Sequence, residues 1–330
     1  MNGVAPEGWP VFSAATRLLV IAPHPDDETI ATGVLVQQVR AAGGEVRIVL
    51  LTGGDNNPWP QRWLERRWRI AAADRRRWAR RRGEELQHAL AALGIPPSAL
   101  QALDWPDLGL TEMLLHATDS AAATVLDAVS RFSPDLIALP SLQDRHPDHS
   151  AAHVLLRLAL VGHPAPPALF TYLVHGRAGH GGGLPITASP AQMANKRVAL
   201  RAHGSQLALS GKRLWRLAER SETYRDLRRA PPALASLPWH PPRWLRPWLQ
   251  LDVVDPAGVR SWRWQDAPLR RGADGAFHLS LPAGERAAPR FARLSMQLRS
   301  PWIFDHWGWC QLETRDGSAG ADVAPPDRPS

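Results

Sequence analysis

The stretch Val20–Gly33, VIAPHPDDETIATG, sets one histidine, two aspartates and a glutamate (His24, Asp26, Asp27 and Glu28) within five residues, directly after the apolar run RLLVIA. An imidazole and a carboxylate three positions apart at a strand-to-helix turn can converge on one metal ion. That donor pair suits zinc and, nearly as well, ferrous iron. Two protein ligands are too few for a catalytic zinc site, which usually keeps three plus a water, so a third ligand is expected at the end of another strand. PDLIALPSLQDRHPDHSAAH supplies a candidate: an apolar run, a turn, then His146, Pro147, Asp148 and His149 opening a helix. Helix capping accounts for aspartate and serine at such positions, hence for Asp26, Asp27 and Ser150. It gives no reason for His24, His146 and His149.

The elements that must position these clusters are legible in the hydrophobic pattern. RLLVIA (17–22), EVRIVLLT (45–52), ALQALD (99–104), PDLIALP (134–140) and ALFTYLV (168–174) read as strands, several apolar almost throughout, as where helices cover both faces of a parallel sheet. Helical patterns lie near 28–42, 61–93, 117–132 and 148–161. The alternation predicts an α/β fold, a doubly wound, mostly parallel Rossmann-like sheet. In such sheets ligands collect at the carboxyl ends of the strands, where both clusters fall. A glycine-rich loop, GRAGHGGGLP, and a helical pair near 190–208 and 211–229 follow. Beyond about residue 230 prolines multiply and eight of the fifteen tryptophans occur, which predicts a small β-rich, Trp/Pro-rich C-terminal extension. The expected division is a catalytic domain over 1–230, an extension over 231–315 and a disordered tail over 316–330.

Composition narrows the classes. The 330 residues are 44% apolar and 21% charged, ordinary for a globular protein with a real core. The N-terminus lacks the pattern of a secretion signal, and no run approaches the roughly 18 apolar residues of a membrane span, so a cytoplasmic protein is expected. A single cysteine, Cys310, excludes an internal disulfide and a multi-cysteine metal site. The net charge of +8 is carried by arginine, since Lys196 and Lys212 are the only lysines. Residues 61–85 hold ten arginines against Glu65, Asp74, Glu84 and Glu85. That segment reads as a solvated helix face or as a surface for an anionic substrate, a membrane or nucleic acid.

APHPDDE and HPDH resemble the two signatures of the PIG-L/LmbE-like de-N-acetylases, with Pro23 inserted between Ala22 and His24. RGEELQHALAALG (82–94) and KRVALRAHGSQ (196–206) resemble two further segments of that family, so the likeness runs from about 17 to 206. It implies a zinc-dependent amidohydrolase that removes an acetyl or related acyl group from an amino-sugar conjugate such as an N-acetylglucosamine glycan, glycolipid or glycoside. It implies that His24, Asp27 and His149 bind the metal, zinc or alternatively Fe2+, and that Asp26 takes a proton from metal-bound water. His146 would assist the oxyanion or the leaving amine, with Asp148 holding its ring and favouring its charged form. Arg82 and Asp107 would contact the sugar, and Glu28 would support the first helix turn.

His203 matches a family segment, but a helix histidine is as readily a packing residue. His175 and His180 flank the glycine-rich loop and could belong to a lid. The late tryptophans read as packing residues ahead of a sugar platform. Two other functions are weighed. Two histidines and one carboxylate also describe non-haem Fe(II) enzymes, which normally use a jelly-roll barrel rather than strand–helix alternation. A non-enzymatic binder of anionic polymers would use the arginine segment and leave both histidine clusters without a purpose. The expected partner is an amino-sugar substrate, with the basic segment favouring one that carries an acid group. Nucleic acid is not expected, nor a transmembrane segment, while peripheral membrane contact stays open.

Overall fold

The computed structural model describes residues 10–176, 183–229, 233–281, 288–297 and 304–313. The expected tail (316–330) and His180 lie outside the described residues. The chain forms two compact units, Met1–Pro231 with Ser300–Gly308, and Pro232–Arg299 with Trp309–Ser330.

The first unit is built on seven strands: β1 (Arg17–Ala22), β2 (Glu45–Thr52), β3 (Leu100–Trp105), β4 (Leu136–Pro140), β5 (Ala168–Tyr172), β6 (Leu184–Pro185) and β7 (Thr223–Asp226), in the order β3-β2-β1-β4-β5-β7-β6. The pairs from β3 through to β5 are parallel. β7 runs antiparallel to β5 and β6. The sheet is doubly wound and mostly parallel, as the alternation of patterns predicts. Every residue of β4 and all but the first of β1 are buried, which is why both runs read as unbroken apolar segments. After β1 the chain winds outward through β2 and β3, then returns to place β4 on the other side of β1. The edge beyond β1 and β4 is therefore the topological switch point, where such sheets bind ligands.

The helices are α1 (Asp27–Ala41), α2 (Pro58–Glu65), α3 (Ala72–Ala92), α4 (Leu110–His116), α5 (Thr118–Phe132), α6 (Pro147–Ala159), α7 (Pro190–Ala202) and α8 (Gly204–Ala218). The arginine-rich segment is two helices, not one. Asn57 caps α2 and Arg66, at φ 52°, closes it in a left-handed turn. A new start follows, in which the Asp74 side chain accepts from the Ala71 N–H. The short helix α4 has no counterpart in the sequence-based assignment.

α1 is buried on nearly all sides and is clasped by polar side chains from outside it. Lys196 Nζ donates to Ile30 O (2.9 Å) and pairs with Glu222 (2.6 Å). Glu222 accepts from Val34 N and Leu35 N, and Tyr224 Oη donates to Ala31 O.

His153 on α6 is fully buried, with Nδ1 donating to Pro140 O at 2.9 Å. Burial, with Arg157 adding to it, lowers its pKa from 6.5 to about 3. Between those values the unfolded chain binds a proton that the native ring refuses, so stability falls as pH drops. Wild type should lose about 2 kcal/mol more than His153→Asn between pH 7 and pH 5. Denaturant midpoints at the two pH values check this, and equal losses would contradict it.

The second unit holds a four-stranded sheet of β8 (Leu249–Asp255), β9 (Gly258–Arg263), β12 (Arg290–Met296) and β13 (Gly308–Leu312), in the order β13-β12-β8-β9. A small hairpin pairs β10 (Leu269–Arg271) with β11 (Phe277–Leu279). Trp239, Trp264 and Trp309 are buried, whereas Trp244 and Trp248 are exposed. Cys310 is buried, which pushes its thiol up to about 12, far from the thiolate range needed for reactivity.

Candidate active site and metal centre

The turn after β1 is pinned on several sides. Pro23 O accepts from Thr52 N and Thr52 Oγ1, and Pro25 O accepts from Arg82 Nη2 at 2.5 Å. Asp26 sits at φ 130°, ψ −24°, a conformation that costs a non-glycine residue on the order of 1–3 kcal/mol and that clusters at functional sites. The kink separates the two aspartates: Asp27 turns toward the histidines and Asp26 toward Arg82.

Three atoms converge beyond the ends of β1 and β4. Asp27 Oδ2 lies 3.3 Å from His24 Nδ1 and 3.1 Å from His149 Nε2, and the two imidazole nitrogens are 3.3 Å apart. For metal–ligand bonds of 2.0–2.1 Å a tetrahedral site has edges of about 3.3–3.4 Å. The three distances therefore fit one tetrahedral face, with the fourth position left for a non-protein ligand. Donor atoms within 4.8 Å of one another also group His24 with His146 and His149, Asp27 with His149 and His175, and His24 with Asp107 and Asp148. The last group engages the opposite nitrogen of His24, so those carboxylates orient the ring rather than join the face.

Carboxylates hold both imidazoles. Asp107 Oδ1 and Asp148 Oδ2 each lie 3.2 Å from His24 Nε2, and Asp144 Oδ2 lies 3.2 Å from His149 Nδ1. Carboxylate–imidazole pairs of this kind fix the tautomer and raise the basicity of metal-binding histidines. Burial opposes charge on His149, but Asp27 and Asp144 on either side hold its pKa up at about 10. The field that retains a proton so firmly suits a cation.

Asp144 is a functional residue that sequence reasoning missed. Beyond His149 it accepts from the N–H groups of His146, Val174 and His175. Its position in LQDRHPDH, five residues ahead of His149, was the available signal.

Several expectations need correction. The Asp148 carboxylate does not hold the His146 ring; the ring's contact with Asp148 is to the backbone N–H. Its carboxylate accepts from Leu108 N and Leu110 N and faces His24, because the start of α6 packs against α4. Nor is His146 favoured in its charged form. Burial and the neighbouring imidazoles of His24, His149 and His175 push its pKa well down. Its Nδ1 faces the Asp148 N–H at 3.3 Å, which assigns the proton of the neutral ring to Nε2. Asp107 and Arg82, expected at the sugar, are both buried: Asp107 accepts from Asn56 N at 2.6 Å, and Arg82 donates to Gly54 O and Pro25 O.

Arg82 Nη2 lies 3.6 Å from Asp26 Oδ2. Burial raises the Asp26 pKa to about 6 against the pull of that guanidinium, close to the value that suits a base at neutral pH. Glu28 accepts from the Asp26 N–H and the Thr29 hydroxyl and lies 3.2 Å from His203 Nε2. The two weaker motifs also meet: Glu85 of α3 accepts from both Ser205 N and Ser205 Oγ at the start of α8. His175 lines the outer side of the cluster, its Nδ1 accepting from Arg213 at 2.8 Å.

Residues 19–160 match the family model described as PIG-L: GlcNAc-PI de-N-acetylase. The 1D-myo-inositol 2-acetamido-2-deoxy-alpha-D-glucopyranoside deacetylase of Mycolicibacterium gilvum is 31% identical over 157 residues, covering 44% of this chain and 54% of that protein. The first such deacetylase of Catenulispora acidiphila is 31% identical over 180 residues, covering 50% and 54%. The chain thus spans about half the length of the curated relatives it matches. Among solved structures, the A40926 pseudoaglycone deacetylase superposes with a TM-score of 0.51 at 19% identity, over 66% of this chain and 99% of that one. The N,N'-diacetylchitobiose deacetylase of Pyrococcus horikoshii gives 0.50 at 18%, over 64% and 84%. At such identities the likeness speaks for the fold.

Proposed function

We propose that this chain, whose residues 19–160 form a PIG-L family domain, is a metal-dependent hydrolase that removes an acetyl or related acyl group from the nitrogen of an amino-sugar conjugate. One observation carries the reading: the face made by His24 Nδ1, Asp27 Oδ2 and His149 Nε2, next in the chain to Asp26, whose half-buried carboxylate lies 3.6 Å from Arg82 Nη2. His24, Asp27 and His149 would hold the ion, and the two-nitrogen, one-oxygen donor set suits zinc. A divalent ion there supplies a nucleophile at neutral pH and polarises the acyl oxygen. Asp26, with a pKa near 6, accepts the proton of the attacking water and later returns it toward the departing amine. His146, neutral with its proton on Nε2, donates to the oxygen that gains charge; removing one such donor typically costs about 10²–10³ in rate. Asp107, Asp148 and Asp144 keep the two metal-binding rings in place, and Arg82 keeps Asp26 in place. The names of the curated relatives support N-acetylglucosamine linked to inositol as a substrate to try first.

The test is acetate release from a panel of N-acetylglucosamine conjugates, inositol-linked and glycan-linked, by protein stripped with chelator and reloaded anaerobically with zinc. Release that disappears on stripping and returns on reloading is the expected result. Metal-loaded protein that frees no acyl group from any conjugate would overturn the reading.

A further inference from the structure

The outward face of α2 and the turn after it combine exposed indoles with uncompensated positive charge. α2 docks through Pro60 and Gln61, both buried, and Gln61 Nε2 donates to Asp74 O at 2.8 Å. The opposite side presents Trp59, 56% exposed, and Trp63, one turn on and 66% exposed; Trp68 in the turn is 82% exposed. The Arg62 guanidinium lies 5.0 Å from the Trp59 ring and 5.9 Å from the Trp68 ring, so the two indoles flank one cation. Arg67 and Arg77 pair with Asp74, and Arg81 with Glu85. Arg62, Arg66, Arg69, Arg75, Arg76 and Arg80 form no ion pair among the described residues.

Three exposed tryptophans within residues 59–68 are a denser grouping than the single apolar side chains normal on a surface, and clustered apolar exposure beside positive charge points to an interaction site. We propose that the outward face of α2 and the following turn is a docking surface for an anionic lipid bilayer. The indoles enter the boundary between headgroups and acyl chains while the arginines meet lipid phosphates, the division of labour seen in helices that lie in the interface. No helix among the described residues is long and apolar enough to cross a membrane, so contact of this kind is peripheral. The loop between β2 and α2 is bonded to Arg82 at Gly54 O and to Asp107 at Asn56 N. Docking would therefore bring the rim of the candidate active site to the lipid surface.

The experiment needs no substrate, so it stands apart from the proposed reaction. The full metal-loaded chain is sedimented with vesicles of phosphatidylcholine alone and of phosphatidylcholine mixed with phosphatidylglycerol. Binding is expected only to the mixed vesicles, weakening with salt, and on the order of tenfold or more weaker for Trp63→Ser/Trp68→Ser. Unchanged circular dichroism and metal content keep that variant interpretable, and Arg66→Gln/Arg69→Gln should weaken the same binding. Absence of binding to the mixed vesicles, or equal binding by wild type and the tryptophan variant, overturns the proposal. So does tighter binding to single-stranded DNA than to vesicles, lost in the same variant, which would make the patch a nucleic-acid surface.

Discussion

Asp26→Asn is expected to retain its divalent metal and lose activity by about 10²–10⁴-fold, the usual contribution of a positioned general base, whereas Asp27→Ala loses metal and activity together. The two carboxylates are neighbours in sequence but occupy different environments. Asp27 Oδ2 belongs to the three-atom face and also accepts from the His24 N–H at 2.9 Å. The histidines on either side hold its pKa well below the usual range despite burial. Asp26 is not one of those three ligand atoms: its Oδ2 lies 3.6 Å from Arg82 Nη2, and burial raises its pKa to about 6. Asparagine keeps the volume, the hydrogen-bonding edge toward Arg82 and a comparative tolerance of positive φ, so the turn should survive while the proton acceptor disappears. Metal analysis of both purified variants alongside kcat decides the matter. Equal metal loss in the two would mean that the division of labour drawn from the geometry is wrong.

The grouping of His24, Asp27 and His149 was legible because these residues sit in short contiguous runs at strand ends. VIAPHPDDE and DRHPDHS name five of the groups nearest the candidate metal, and the apolar runs before them carry enough pattern to place both at one sheet edge. What holds those groups was legible only in part: Asp144 and Asp148 lie in the second run itself, but which ring each carboxylate meets depends on the fold. Asp107 comes from the segment between β3 and α4, and only the folded chain shows its carboxylate against His24. The assignment of Asp148 to the His146 ring failed for a related reason. Adjacency in HPDH suggests contact, but the first turn of α6 points Asp148 toward the N–H groups of Leu108 and Leu110. The split of the arginine segment escaped notice because Arg66 closes α2 in a left-handed turn without a glycine or asparagine to mark it.

The other large effect is expected where nothing touches substrate. Lys196 and Glu222 are each 1% exposed and 2.6 Å apart, and breaking a buried pair by removing one partner typically costs about 3–5 kcal/mol. Glu222→Leu should therefore lower the melting temperature by roughly 6–20 °C, given about 2–4 °C per kcal/mol for a unit of this size. The variant strands the Lys196 ammonium in the core with Ile30 O as its one remaining acceptor among the described residues, and removes the carboxylate that accepts from Val34 N and Leu35 N. Lys196→Met in the same chain removes the orphaned charge. The freed Val34 and Leu35 N–H groups face Ile30 O and Ala31 O one turn back, which ordinary helix bonds can satisfy. The double variant should accordingly recover at least about 1 kcal/mol over Glu222→Leu, a coupling that a double-mutant cycle reads directly. Additive losses would show that the pair contributes only through packing. Because α1 begins at Asp27, the single variant should also weaken metal retention, while the double variant, with the helix again well anchored, should hold metal as wild type does.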